Sequence, residues 1–288
     1  MLTSLCIPVH RVLSIFHAST TDDMTYHPDV KQPVDFKPQF DSDGNRVPPS
    51  PYSDDEYPVE KEQASLAAAM VPETGPIKSS GSISRTGPLK VNGDVTATAS
   101  VTLKHDIHVT GKTFSSGTMT LSDNIRIDGR VISTASLKAF DNVIFREDVR
   151  ASGHIDFRHK VTIKGDLSAS GAITLDDGVE ISDNIHASGS LNLRGPVKIC
   201  GNVRSNGSSI FKDEVSIRGG LVITGAFDIA KSGVTTINGN VVCTSSLHVN
   251  GKLHIKGDLT VNGSLNHGYG SELTVGGRKT VIGGEHWS

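Results

Sequence analysis

The chain has 288 residues, a formal net charge of −3 and 20% charged residues, but only 5% of its residues are aromatic. Its lysines and arginines are spread along the chain with acids between them, which argues against the concentrated basic surface of a nucleic-acid-binding protein. Three cysteines are too few for a disulfide framework. We therefore expect neither a nucleic-acid partner nor a small disulfide-stabilised domain.

The first 20 residues are apolar and contain no acid. Pro8, His10 and Arg11 interrupt this stretch, which is already too short to span a membrane. It also lacks the basic region that precedes the apolar part of a secretory signal, and one arginine is a poor fit to a mitochondrial presequence. Two interpretations stay open: a disordered start with Met24 as an alternative initiator, and a weak peripheral contact with a membrane.

Residues 21–76 form an acidic, proline-rich stretch. They hold twelve acids against four bases, a net charge of −8, and ten of the 12 prolines precede Ile77. Such a composition cannot bury enough apolar surface to fold. Residues 1–76 are therefore predicted to be a disordered leader, which is a candidate contact for other proteins.

From residue 81 to residue 262 the sequence repeats an 18-residue unit, of which residues 153–170 are a clean copy. In each unit the apolar residues come in three pairs, with the members of a pair two residues apart. This spacing is typical of strands and not of helices. Three short strands per unit predict one rung of a three-sided β-solenoid. We expect an all-β protein, with a single parallel β-helix of about 10–11 rungs over residues 77–276 and a short tail at 277–288.

Polar and glycine positions in the repeat predict the corners between strands. A recurrent glycine, as at Gly93, Gly111 and Gly129, indicates a corner that needs a positive φ or a close approach of backbones. Two-residue insertions near residues 231–236 and 267–272 predict enlarged corners, which are too short to form an active-site lid.

No repeated polar constellation indicates chemistry. Hexapeptide-repeat acyltransferases and pectate-lyase-type β-helices build their sites with long loops, which this repeat lacks. The aspartates in the column that holds Asp123 and Asp141 are interrupted by other residue types, and no calcium-binding nonapeptide motif is present. Residues 267–272 bring His, Tyr and Glu together, and we interpret this segment as an end-cap turn. The sequence thus predicts a protein that is not an enzyme and has no catalytic, cofactor or metal site.

One outward column is apolar at both ends and polar between them. It predicts a lateral contact surface for other rods or for a partner groove. Its apolar members are Phe114, Ile132, Val222 and Val242.

The repeat contains three similar phrases: Leu89-Lys-Val-Asn-Gly-Asp-Val95, Val161-Thr-Ile-Lys-Gly-Asp-Leu167 and Leu253-His-Ile-Lys-Gly-Asp-Leu259. In these phrases the chain resembles the bactofilins, a polymer-forming cytoskeletal family, over roughly residues 81–262. The chain departs from that family in its greater number of rungs and its long acidic leader. The resemblance implies a right-handed β-helix that polymerises end to end without nucleotide. It also implies a cytoplasmic, cytoskeletal location, with mitochondrial or peripheral membrane association left open.

The end rungs are the predicted sites of self-assembly, because an uncapped solenoid end presents unpaired strands. At the front, Arg85 points inward and is expected to oppose stacking. The predicted assembly residues are Ile83, Arg85, Leu89, Val91, Leu265, Leu273 and Val275.

Three functions remain as hypotheses at this point. The first is a non-catalytic scaffold whose only required partner is itself, forming homopolymeric filaments. The second is a monomeric β-helical binding or adhesin-like module that uses its lateral face. The third, less favoured, is a hexapeptide-type acyltransferase, which would be a trimer with a left-handed coil.

Overall fold

In the computed structural model, residues 71–288 are described, and their 36 strands form three parallel sheets of 12 strands each. The strands are numbered β1 to β36 in chain order, and each set of three makes one rung. The three-sided parallel β-helix is thereby confirmed, with 12 rungs in place of the 10–11 expected. The predicted apolar start and most of the acidic leader lie outside the described residues.

The first sheet contains one strand from each rung, paired in parallel with the equivalent strands of the neighbouring rungs. Its inward residues are mainly valine and isoleucine, whose stiff branched side chains suit a pleated wall. Its strands are β1 (Glu73–Thr74), β4 (Leu89–Val91), β7 (Ile107–Val109), β10 (Ile125–Ile127), β13 (Val143–Phe145), β16 (Val161–Ile163), β19 (Val179–Ile181), β22 (Val197–Ile199), β25 (Glu214–Ile217), β28 (Val234–Ile237), β31 (Lys252–Ile255) and β34 (Glu272–Val275).

The second sheet carries the small inward residues that the repeat predicts, including Ala97, Ser115 and the free cysteine Cys243, all fully buried. Its strands are β2 (Ile77–Ser79), β5 (Val95–Ala97), β8 (Thr113–Ser115), β11 (Val131–Ser133), β14 (Val149–Ala151), β17 (Leu167–Ala169), β20 (Ile185–Ala187), β23 (Val203–Ser205), β26 (Leu221–Ile223), β29 (Val241–Cys243), β32 (Leu259–Val261) and β35 (Lys279–Val281).

The third sheet supplies most of the buried phenylalanines, and Phe157 stacks on Phe145 of the first sheet with ring centroids 5.5 Å apart. Its strands are β3 (Ile83–Thr86), β6 (Val101–Lys104), β9 (Met119–Ser122), β12 (Leu137–Phe140), β15 (Ile155–Arg158), β18 (Ile173–Asp176), β21 (Leu191–Arg194), β24 (Ser209–Phe211), β27 (Phe227–Ile229), β30 (Leu247–Val249), β33 (Leu265–His267) and β36 (Glu285–Trp287).

Successive rungs stack in register, so that like residues lie above like residues. Val143, for example, pairs with Val161, and Phe145 pairs with Ile163. Paired residues of successive rungs are normally 18 residues apart in sequence, and the two insertions lengthen this separation to 20. Both insertions are absorbed in corners, as predicted, without breaking the ladder of strands. At about 4.8 Å per rung, the 12 rungs extend for about 50 Å along the axis.

The recurrent glycines mark a corner where backbones approach closely. A Cβ on Gly129 would lie 2.7 Å from the carbonyl carbon and oxygen of Gly111. Positive φ values instead cluster at a different corner, between the third sheet and the first, where Asp123 and Asn124 have φ values of 65° and 63°. Asp and Asn tolerate this region better than most residues, which accounts for the aspartate column at that corner.

A ladder of side-chain carbonyls stabilises the corner that leads into the second sheet. The Asn184 Oδ1 accepts the backbone N–H of Asn202 at 2.9 Å, and the Asn202 Oδ1 accepts that of Gly220 at 2.8 Å. The same bond joins Asp258 Oδ1 to the N–H of Arg278 at 2.8 Å. The Gly-Asp and Gly-Asn dipeptides of the repeat therefore supply an acceptor to the next rung.

The solenoid extends beyond both predicted boundaries. Strand β1 precedes residue 77, and the last two strands lie within residues 277–288, where the sequence predicted a tail. The prediction failed there because several inward positions of the outermost rungs are polar or charged, as at Lys279 and Glu285. They do not show the apolar alternation by which strands are recognised.

The close approach at the glycine corner can be tested with alanine. We expect Gly129→Ala to destabilise the protein by about 1–3 kcal/mol, because the added methyl group overpacks against the backbone of the preceding rung. Gly75→Ala is the matched control, since a Cβ on Gly75 would have no atom within 4 Å. Chemical denaturation measures the stability of both variants, and equal stabilities would contradict the predicted steric clash.

Candidate functional site

The predicted front residues fall on two different rungs. Ile83 and Arg85 lie on β3, in the first rung, whereas Leu89 and Val91 lie on β4, in the second rung. Val91 is fully buried beneath that first rung. The assignment of Leu89 and Val91 to the end rung is therefore corrected, because Thr74 lies opposite Val91 in an additional strand.

The predicted back residues are divided in the same way. Leu273 and Val275 lie on β34, in the last rung, and both are half-buried. Leu265 lies on β33, one rung earlier, and is fully buried opposite Glu285. Leu265 is thus a core residue and not an end residue.

The front end of the solenoid presents a mixed polar and apolar face. Ile77 is half-buried there, and Arg85 occupies an inward column but remains exposed, since the described residues place no rung beneath it. Its guanidinium donates to the carbonyl oxygen of Ser84 at 2.9 Å. The inward positions of this face are Thr74, Ile77, Ser79, Ile83 and Arg85.

The back end carries a cluster of polar and aromatic side chains on its inward positions. The Lys279 Nζ donates to the Glu285 carboxylate at 2.8 Å, and the His267 Nε2 lies 2.7 Å from the same carboxylate. Trp287 stacks on the His267 ring with centroids 3.8 Å apart and planes 6° apart. The His267 side chain is 2% exposed, whereas Trp287 is 73% exposed. The indole thus covers the histidine and leaves its own outer face open.

Within this cluster the Glu285 carboxylate is stabilised in its charged form. The hydrogen bond from Lys279 lowers the pKa of Glu285 most strongly; burial opposes this shift, and the His267 bond adds to it. We infer that the His267 Nε2 donates to the carboxylate, which leaves the buried Nδ1 without a hydrogen-bond partner. The Glu285 carboxylate remains accessible enough to accept a further donor, since a quarter of its side chain is exposed.

Four residues of the end faces escaped the sequence prediction: Ile77, Lys279, Glu285 and Trp287. A usable signal was present, because Lys279-Thr-Val-Ile-Gly283 and Leu259-Thr-Val-Asn-Gly263 are identical at three of five positions. The 20-residue offset set by the second insertion hid this match.

The predicted lateral residues do share one column, on the outer side of the second sheet. Phe114 pairs with Ile132, and Val222 pairs with Val242. Ile132 and Val222 are five rungs apart, about 24 Å, so the structure forms two apolar patches and not one. The residues between them are Arg150, Ser168, His186 and Arg204.

Two shallow depressions follow this column. One of about 480 Å³ is lined by residues that include Ile132, Arg150 and His186, and one of about 440 Å³ by residues that include His186, Val222 and Val242. They share His186 and together form a lateral groove from Ile132 to Val242.

Acidic residues border one side of the lateral groove. Asp148, on its rim, accepts a hydrogen bond from Arg130 at 3.0 Å. Burial raises the pKa of the nearby Asp183 carboxyl, and repulsion from Asp166 and Asp148 raises it further. The groove therefore has charges of both signs beside its apolar patches.

Several histidines that the sequence places on the surface face a carboxylate on the adjacent rung. His108 lies 2.7 Å from Asp128, and His159 lies 3.2 Å from Asp177. Such pairs are hydrogen-bonded contacts between rungs, not ligand sets: in residues 71–288 no three His, Cys, Asp or Glu side chains are grouped to hold a metal ion. The described segment also contains no helix with the length and apolarity needed to cross a membrane.

Comparison of the chain with protein-family models, with curated proteins and with solved structures gave no match in any of the three. The functional argument therefore depends on the fold and on the geometry of the two ends and the lateral face.

The ion pair at the back end predicts how the stability of the protein depends on pH. We expect Lys279→Met to raise the pKa of Glu285, because the substitution removes the hydrogen bond that lowers it most. The pair stabilises the fold above the ordinary glutamate pKa of about 4.3, and this contribution is lost as the pH falls through the lower pKa of the folded protein. The stability difference between the two proteins should therefore shrink in acid.

Carboxyl-detected NMR titration measures the pKa of Glu285, and denaturation at several pH values measures the stability difference. Lys252→Met serves as the control, since Lys252 lies 3.4 Å from Glu272 and does not contact Glu285. An unchanged Glu285 titration in Lys279→Met would contradict the assigned ion pair.

Proposed function

We propose that the protein is a non-catalytic scaffold that self-assembles end to end into bactofilin-like filaments. One observation carries the proposal: within residues 71–288, no helix or loop covers the outer edges of either end rung. Strands β1, β2 and β3 each pair with one neighbour only, and so do β34, β35 and β36. Exposed edges of parallel strands are templates for further strands.

The exposed inward side chains support the same proposal. Ile77, Leu273, Val275 and Val281 are apolar, point along the core columns and are only partly buried. Each occupies a position that is fully buried in most inner rungs, as at Val95 and Val261. Another rung stacked on either end would bury them and stabilise the assembly through the hydrophobic effect.

The size of the end face predicts a weak individual joint. A side of about six residues is about 20 Å long, so the triangular face measures only about 200 Å². Two such faces bury less than the roughly 1,600 Å² of a standard stable interface. Backbone ladder bonds in three sheets partly compensate, as they do in cross-β stacking. Assembly should therefore depend strongly on protein concentration.

The remaining parts of this proposal concern the surroundings of the filament. The acidic leader would contact other proteins, and residues 1–20 would add at most a weak membrane contact. A cytoskeletal, cytoplasmic location belongs to the same proposal and is drawn from the bactofilin resemblance.

A monomeric binding or adhesin-like module is the second candidate, and the lateral groove from Ile132 to Val242 favours it. Apolar patches at both ends of a groove with arginines between them suit an extended partner. A hexapeptide-type acyltransferase has less support. Such an enzyme needs an accessible catalytic histidine near a protruding loop, and His267, close to the exposed Tyr269, is buried.

End-to-end assembly can be tested by a charge on the back face. We expect the full-length protein to form filaments in electron micrographs as its concentration rises, and Val281→Asp to stay as single rods. The carboxylate would be buried without a partner in the joint. Thr162→Asp, on the outer side of β16 in the middle of the rod, is the control and should assemble normally. Single rods of the wild-type protein at high concentration would overturn the proposal.

The lateral face can be separated from the ends by a double variant. Val222→Asp combined with Val242→Asp should leave filament length unchanged, because neither side chain lies on an end rung. Electron microscopy and sedimentation velocity measure this. If the double variant lost assembly, the contact between rods would lie on the lateral face and the end-to-end proposal would be wrong.

A further inference from the structure

We propose that the joint between rods is head-to-tail, with Arg85 of one subunit stacking on Trp287 and pairing with Glu285 of the next. This inference rests on the proposed end-to-end assembly and names the partner surface as the opposite end of a second copy. It also reverses the sequence expectation that Arg85 opposes stacking.

Strand register places the two residues on one column. Arg85 pairs with Leu103 at the front of the third sheet, and Trp287 pairs with His267 at its back. Both belong to the same inward column, which runs through the whole rod in steps of one rung. When this column is continued past Trp287 by one more rung, the next residue is Arg85 of the following subunit.

The stacking geometry already exists at the back end. His267 and Trp287 occupy successive rungs of this column, and their rings lie parallel with centroids 3.8 Å apart. The outer face of the indole is free, since Trp287 is 73% exposed. Arg85 carries a planar cation, which is attracted to an indole face within about 6 Å. A rung spacing of about 4.8 Å brings the guanidinium into that range.

Charge complementarity favours the same pairing. Among the described residues Arg85 has no carboxylate partner, and its guanidinium contacts only a backbone carbonyl, that of Ser84. Glu285 lies two residues before Trp287 on the same face and already accepts bonds from Lys279 and His267. A stacked Arg85 would supply the carboxylate with a third donor and offset part of the cost of burying the ion pair.

The other two sheets also match in the head-to-tail arrangement. Continuation of their columns places Val275 against Thr74 in the first sheet and Val281 against Ser79 in the second. Lys279 comes to lie against Ile77, where its alkyl chain can cover the apolar side chain. The half-buried Val275 and Val281 of one face thus each meet a small residue of the other.

The two symmetric joints lack this complementarity. A front-to-front joint would bring two Arg85 guanidinium groups onto facing ends, and a back-to-back joint would bury two Lys279–Glu285 pairs without adding an opposite charge. Like charges in a buried contact oppose association. A head-to-tail joint is heterologous, so the filament has a direction and each rod can add a partner at both ends.

Trp287 is the single tryptophan of the chain and reports directly on the joint. We expect its emission to shift to shorter wavelength as the full-length protein assembles, because the indole becomes covered. Arg85→Glu should raise the concentration needed for assembly at least tenfold and abolish the shift over the wild-type range. Lys138→Glu, an exposed charge reversal in the middle of the rod, is the control and should behave as wild type.

Mixing two blocked variants tests the polarity of the joint. Arg85→Glu has a blocked front and an intact back, whereas Val281→Asp has an intact front and a blocked back. In a head-to-tail joint each variant alone stays monomeric, and an equal mixture forms a dimer that grows no further. Sedimentation velocity measures the sizes, and circular dichroism verifies that each variant is folded.

The outcomes separate this inference from the proposed function. If either variant dimerises alone, a symmetric joint is present, the head-to-tail inference is wrong and end-to-end assembly stands. If the mixture stays monomeric, or Arg85→Glu assembles as wild type does, the contact between Arg85 and Trp287 is overturned. If wild-type protein never assembles and its emission never shifts, the proposed function itself fails.

Discussion

In-register stacking of like residues, about 4.8 Å apart, is the constraint on which the remaining structure depends. The backbone of each strand in an inner rung forms hydrogen bonds to the rung above and the rung below. Each inward side chain packs between the side chains at the equivalent positions of those two rungs. The core is consequently a set of columns, and a change at one position acts on its neighbours in the same column. Phe145 and Phe157, from different sheets, show how the columns also meet across the interior.

The corners obey the same constraint. At Gly129 the backbone lies so close to Gly111 that a Cβ has no room, whereas Gly75, in the first rung, has no neighbour to restrict it. The ladder from Asn184 through Asn202 to Gly220 shows a second solution, in which a side chain of one rung satisfies the backbone of the next. A corner is therefore stable because of the rung beside it and not because of its own sequence alone.

The end rungs break this periodicity, and their chemistry differs as a result. Positions that are aliphatic inside the rod hold Arg85 at the front and Lys279 and Glu285 at the back. Charged residues at such positions oppose nonspecific association of the exposed end rungs, as charges on edge strands do in other β-proteins. The same charges make the two ends chemically distinct, which is a requirement for any directional contact between them.

The sequence by itself determined the fold, because a period of 18 residues with two-residue alternation is compatible with few architectures other than a three-sided β-solenoid. It also determined the core columns and the positions of both insertions. Only the tertiary structure decided where the rod ends, since polar residues such as Lys279 join the last rung through backbone pairing with Leu259, which no apolar pattern reveals. The meeting of His267, Glu285 and Trp287 was likewise decided by the fold, because residues 18 to 20 apart become neighbours only when one rung lies upon another.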